Sequence, residues 1–246
     1  MSSDRRYASS VLSDLSVKIF ADGADLDGIF ALADDPRISG FTTNPTLMWK
    51  AGLTDYQDFA KRLLERITEY PVSFEVFADD ADEMRRQARL IASWGENVYV
   101  KIPITTTSGE SMAPIVRELS EYGVKVNVTA LFTLAQVELI ATAVKEGAPS
   151  FVSVFAGRIA DAGVDPVPLM AKAVNILTDA PRSELIWASP REILNVVQAD
   201  NVGCHVITVT NDLLTKLGSL GKDLDQFSLE TVQMFQRDAT SAGFTL

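Results

Sequence analysis

The residue best placed for covalent chemistry in this chain of 246 residues is Lys101, because VYVKIPI sets its amine among apolar neighbours on both sides. An ammonium is better solvated by water than by a protein interior, so burial favours the free amine, and a free amine attacks a ketone to give an imine. The same segment also suits a lysine whose stem packs while its head pairs with an acid, and Glu75 in SFEVF and Asp22 in KIFAD are the acids in comparable runs. Other polar residues interrupt apolar runs in the same way. They are Thr42, Thr43 and Asn44 in FTTNP, Asn127 and Thr129 in VNVTA, Ser153 in VSVF with Arg158 just beyond, and Ser189 with Arg191 in ASPR. An amine, two carboxylates and a set of hydroxyls and amides can carry acid–base and covalent steps on a carbonyl compound.

Something must bring these residues together, and the runs themselves suggest what. Short β-branched segments recur at 17–22, 38–44, 72–77, 98–104, 125–131, 151–155, 184–189 and 205–210. Their near-continuous apolar content suits parallel strands covered on both faces. Between them lie helical stripes such as Tyr56, Phe59, Leu63, Leu64 and Ile67, or Met112, Ile115, Val116 and Leu119. Start signals precede the stripes: Thr54 with Asp55, Asp79 to Asp82, Ser108 with Glu110 and Ser111, and Asp212 after the last strand. Eight strand–helix units in about 200 residues predict a (β/α)8 TIM barrel, one domain over 1–246, whose chemistry sits at the carboxyl ends of the strands. Extra helices flank it. The one near 7–15 is expected to plug the barrel bottom, and the one over 224–241 to lie across the barrel or on a neighbouring subunit.

Composition removes several classes of function. Acidic residues outnumber basic ones 33 to 22, and the net charge of -11 disfavours nucleic acid and anionic membranes. The densest basic cluster, Arg85, Arg86 and Arg89, stands among acids on a solvated helix. A single cysteine, Cys204, and a single histidine, His205, leave too few ligands for catalytic zinc and no Cys-His nucleophile pair, and His205 reads as a packed strand residue in CHVITVT. The start MSSDRRYASS has no secretory apolar run and no segment reaches the length of a membrane helix, so a cytoplasmic location is expected.

The segments ADGAD at 21–25, FTTNPTL at 41–47, SFEVFA at 73–78, VYVKIPIT at 98–105, VNVTALFTLAQ at 126–136, VSVFAGRI at 152–159 and WASPRE at 187–192 together resemble transaldolases, in particular the short transaldolases and fructose-6-phosphate aldolases. The TTNPT and VKIP segments are specific to that family as a pair. The resemblance implies a class I aldol mechanism with Lys101 as the Schiff-base lysine, and no metal or other cofactor. It implies that Glu75 and Thr129 hold and activate the catalytic water, and that Asp22 is the acid–base group at the donor's C4 hydroxyl. It places Thr43, Asn44, Asn127, Ser153 and Phe155 around the substrate, and Arg158, Ser189 and Arg191 at its phosphate. Sugar phosphates are then the small-molecule partners, and a homo-oligomer, a pentamer or decamer as in the family's small members, is expected.

The sequence also departs from the family. Pro190 stands between Ser189 and Arg191 where Phe is usual, which leaves room for a related anionic head such as a sulfonate, and TVTND replaces a usual proline after the last strand. Two positions separate the branches: Glu75 stands where aldolases tend to have Gln, and Phe155 where they tend to have Tyr. Both favour a transaldolase that moves a dihydroxyacetone unit from a ketose phosphate to an aldose phosphate. The alternatives are a fructose-6-phosphate-type aldolase and a catalytically silent sugar-phosphate-binding barrel.

Overall fold

The computed structural model describes residues 15–245, so the helix expected near 7–15 falls almost wholly outside the described residues. Residues 16–214 form one compact unit and the chain from 215 onward, as far as it is described, belongs to another. The first unit contains a closed barrel of eight parallel strands in sequence order.

Its elements are β1 (Lys18–Asp22), α1 (Leu26–Ala33), β2 (Ile38–Thr42), α2 (Pro45–Lys50), α3 (Tyr56–Arg66), β3 (Val72–Glu75), α4 (Ala81–Ala92), β4 (Val98–Pro103), α5 (Ala113–Glu121), β5 (Val126–Leu131), α6 (Leu134–Val144), β6 (Ser150–Val154), α7 (Ala156–Asp161), α8 (Val167–Leu177), β7 (Ser183–Trp187), α9 (Leu194–Asn201), β8 (Val206–Thr210) and α10 (Asn211–Leu214). The strands are buried on both faces, which is why they read as apolar runs and not as alternating ones.

Three strands end two residues sooner than their apolar runs, each where the backbone turns or finds another partner. β2 stops at Thr42 because Asn44 turns to cap α2, its side chain accepting from the Leu47 N–H. β3 stops at Glu75, and the N–H groups of Phe77 and Ala78 go to Gln87 Oε1 at 2.7 and 3.0 Å. β7 stops at Trp187, and Ser189 takes the left-handed conformation with φ 58°. Helix starts agree at Asp55 and Asp80, whose carboxylates cap α3 and α4. The cluster around Ser108 does not supply the N-cap: Met112 stands there without a side-chain cap bond, Pro114 lies in the first turn of α5, and Ser111, bridged to Thr105, accepts from the Ala113 N–H at 3.3 Å.

Side chains alternate along each strand, and two steps of that alternation build the site. Inside the barrel Phe20, Phe151, Ile186 and Val206 form an apolar layer with Tyr99 packed against it. Phe20 meets Phe151 edge-on with centroids 5.4 Å apart, and Gly40 must lack a side chain because a Cβ there would lie 2.6 Å from the Phe20 ring. Two residues further along the same strands stand Asp22, Lys101, Ser153 and Thr208. A dry floor thus carries a polar layer at the carboxyl ends.

The second unit contains a 3-10 turn (Leu217–Ser219) and α11 (Leu224–Ser241), the terminal helix with the bounds expected from its sequence. Asp223 caps α11 through the Gln226 N–H. Leu224, Phe227, Leu229, Val232, Met234 and Phe235 on α11 are exposed. Among the described residues no helix is long and apolar enough to cross a membrane.

Candidate active site

Lys101 is both buried and paired. The residue is 8% exposed, its Nζ donates to the Thr43 carbonyl at 2.6 Å, and Glu75 Oε2 lies 3.2 Å away. The strand register produces that pair, since Glu75 on β3 is opposite Lys101 on β4 and Asn127 on β5 is next in the same row.

Asp22 forms a second centre across β1 and β2. Its carboxylate accepts from Thr42 Oγ1 at 2.9 Å and from Asn44 Nδ2 at 3.0 Å. Thr42 Oγ1 also lies 2.5 Å from Thr208 Oγ1, so β8 joins the cluster. Burial pushes the Asp22 carboxyl above its usual range, and the Lys101 charge with the two hydrogen bonds opposes that rise without cancelling it. A carboxyl raised in this way takes up a proton more readily than a solvated one, which suits it to acid–base work. Asn44 therefore does two jobs, since its Oδ1 caps α2 while its amide orients Asp22.

Asn127 and Ser153 are held within the polar layer. Ser153 Oγ donates to Asn127 Oδ1 at 2.7 Å, and Asn127 Nδ2 donates to Ser73 Oγ at 3.0 Å. Thr129 sits at an irregularity. Ala130 has φ 61° and the β5–β6 register jumps between Val128 and Leu131, while Thr129 keeps its carbonyl on the Ile104 N–H at 3.0 Å. A non-glycine residue in that region costs about 1 kcal/mol or more, and bulges of this kind re-aim side chains next to active sites.

The arginines lie at the rim and are exposed. Gly157 brings the β6 and β7 exits together, because any side chain there would collide with the Ser189 carbonyl. Arg158 follows, its guanidinium 5.5 Å from the centre of the Phe155 ring. Arg191 is already engaged: its Nε donates to Asp161 Oδ1 and Oδ2 at 3.0 and 3.1 Å, and its Nη2 contacts the same carboxylate. That bond to Arg191 holds the Asp161 carboxyl below its usual range. The backbone N–H groups of Arg191 and Glu192 both go to Asn195 Oδ1, and Pro190 has none, so the β7 exit meets an anion mainly with side chains.

His205 is a packed residue, as its setting suggested. Its Nδ1 accepts from the Leu185 N–H at 3.0 Å, and burial lowers its pKa. The sequence reading did not single out Ser73, Thr208, Tyr56 or Asp161. Ser73 could have been found, since it lies two residues before Glu75 on one strand.

The deciding comparison is with the family described as Transaldolase/Fructose-6-phosphate aldolase, which matches residues 19–246. The chain belongs to this family. Relatives include the "Probable transaldolase" of Dehalococcoides mccartyi, 38% identical over 202 residues covering 82% of this chain and 90% of the relative. The "Probable transaldolase 2" of Listeria monocytogenes is 35% identical over 204 residues, covering 82% and 89%. A solved structure provisionally described as a lyase/mutase from Burkholderia cenocepacia shares the barrel alone, with TM-score 0.57 and 13% identity over 98% of this chain and 91% of that one. The transaldolase/aldolase membership makes this barrel an enzyme and gives the resemblance read from TTNPT and VKIP its confirmation.

Proposed function

We propose that the enzyme is a transaldolase, and the Lys101–Glu75 pair at 3.2 Å above an apolar floor is the observation that carries this reading. Lys101 as free amine adds to the C2 carbonyl of a ketose phosphate. The carbinolamine loses its hydroxyl as water to leave a protonated imine, with Glu75 and Thr129 moving the proton and holding that water. Asp22 then takes the C4 hydroxyl proton, the C3–C4 bond breaks, and its electrons pass into the iminium to give an enamine while an aldose phosphate departs. An acceptor aldose phosphate runs these steps in reverse, and water finally releases the product from Lys101. Asn44, Asn127 and Ser153, fixed by their own hydrogen bonds, offer lone pairs and protons to the three-carbon unit.

The branch of the family is decided by whether the enamine waits for an acceptor. Phe155 packs against the barrel's apolar layer with the Phe132 ring 5.9 Å away, and its own ring carries no hydroxyl to hold or protonate a water there. Fructose 6-phosphate without acceptor is expected to yield little free dihydroxyacetone, with erythrose 4-phosphate raising turnover by at least about tenfold. Phe155→Tyr is expected to raise the acceptor-free release by a similar factor. Free dihydroxyacetone formed by the wild type as fast as it is transferred would make the protein an aldolase.

Arg158 and Arg191 are proposed to hold the anionic head, with Ser189 beside them. Because Asp161 already fills the Arg191 fork, the substrate anion competes with a carboxylate. Asp161→Asn is expected to lower KM for ketose phosphates several-fold, and Arg158→Ala to raise it by about 10- to 100-fold with kcat little changed. Dihydroxyacetone used as donor should respond to neither. Equal changes for both donors would assign these residues to structure.

A further inference from the structure

We infer that Tyr56, outside the barrel wall on α3, is a positioning residue that frees the Thr43 carbonyl to hold Lys101. The inference rests on the reading of Lys101 as the nucleophile, and its grounds lie in the ladder between β2 and β3.

In a parallel pair each residue's N–H and C=O point to the same neighbouring strand, and the side alternates along the chain. Val76 donates its N–H to the Lys101 carbonyl at 3.1 Å, so residues 74 and 76 face β4 and the backbone of Glu75 faces β2. On that side the Thr43 N–H donates to the Ser73 carbonyl at 3.2 Å. A ladder continued by one step would bring the Glu75 N–H to the Thr43 carbonyl. That bond is replaced. The Thr43 carbonyl accepts from Lys101 Nζ at 2.6 Å, and the Glu75 N–H donates to the Tyr56 hydroxyl at 2.7 Å.

The hydroxyl completes the exchange by donating to the Glu75 carbonyl at 3.1 Å. One phenol thus satisfies both backbone groups of the residue whose carboxylate pairs with Lys101, at the point where the two strands part. Without it the Glu75 N–H, in a half-buried setting, would lose its acceptor, and the acceptor the ladder offers is the carbonyl that Lys101 uses; unpaired buried donors are costly.

The ring is held so that it can do this. It meets Phe77, Trp94 and Phe74 with centroids 4.7, 5.7 and 6.1 Å away, and the Asp55 cap fixes α3 to begin at Tyr56. The phenol stays protonated, since burial pushes its pKa well up, so it always has a proton for the Glu75 carbonyl.

Tyr56→Phe removes one oxygen and keeps the ring. The Glu75 N–H and Lys101 Nζ then contend for one carbonyl, which moves both reacting groups. Single-turnover trapping of the Lys101 adduct by borohydride should slow by roughly tenfold, inside the 100-fold that about 1 Å of misplacement costs. kcat should fall with it, while KM for the ketose phosphate changes by less than about twofold, since the hydroxyl touches no substrate. Phe59→Leu loosens the packing of α3 but leaves the contacts of the Tyr56 ring and its hydroxyl in place, and it should trap at the wild-type rate. Circular dichroism confirms that both variants are folded before rates are compared. Trapping at the wild-type rate by folded Tyr56→Phe overturns the inference, as does equal slowing in both variants. Wild-type protein that yields no adduct on Lys101 instead overturns the reading on which the inference stands.

Discussion

Borohydride added to the enzyme with fructose 6-phosphate is expected to fix a reduced sugar fragment on Lys101 and on no other lysine. Several other lysines, such as Lys50 and Lys61, are solvent-exposed and stand outside the barrel's polar layer. Lys101 alone stands inside the polar layer, with Glu75 placed to receive and return protons. Peptide mass mapping reads the result directly. Lys101→Met, which keeps the apolar stem but cannot form an imine, should lose turnover by on the order of 10⁴-fold or more, the scale on which covalent machinery fails when its nucleophile is removed. The variant leaves Glu75 without its cation but with its backbone still clamped by Tyr56, so it should remain folded. A fragment on a different lysine, or turnover within about tenfold of the wild type, would reject the covalent mechanism.

The barrel and its reactive row were legible because parallel strands covered on both faces leave long apolar runs in which each polar residue stands out. Lys101, Glu75 and Asn127 are such interruptions, and the register sets them side by side. What was not legible depends on contacts distant in sequence. Tyr56 reads as one apolar position in a helical stripe, and its ring does pack as such; its hydroxyl matters only because β2 and β3 part beside it. Asp161 reads as an ordinary surface acid, and nothing local ties it to Arg191, 30 residues on. The end of β3 was overrun at Phe77 because an apolar residue type does not record that its N–H goes to Gln87 and its ring is largely exposed.

Asp22→Asn is expected to separate the two halves of the reaction and to alter stability in a pH-dependent way. Imine formation does not use Asp22, so the variant should still trap ketose phosphate on Lys101. Cleavage needs the C4 hydroxyl proton removed, and turnover should fall by about 10²- to 10⁴-fold, the usual contribution of a positioned general base. The stability effect follows from burial, which raises the folded carboxyl above the 3.8 of a solvated aspartate. Between 3.8 and that raised value the folded state holds more protons than the unfolded chain, so this group makes stability fall as pH rises through the interval. Above the interval its full cost remains. The amide does not titrate. Its Oδ1 can still accept from Asn44 Nδ2 while its NH2 donates to Thr42 Oγ1, whose own proton can go to Thr208 Oγ1, so whatever effect the amide has on stability is the same at every pH. Denaturant unfolding should therefore show the stability of Asp22→Asn relative to wild type improving from pH 4 towards neutrality, even though other acids in the protein, such as Asp35, with their pKa held low, make both proteins gain stability over part of that range. A difference that stays flat, or that moves in favour of the wild type as pH rises, would mean that Asp22 carries no raised proton affinity and is poorly suited to act as the base at C4.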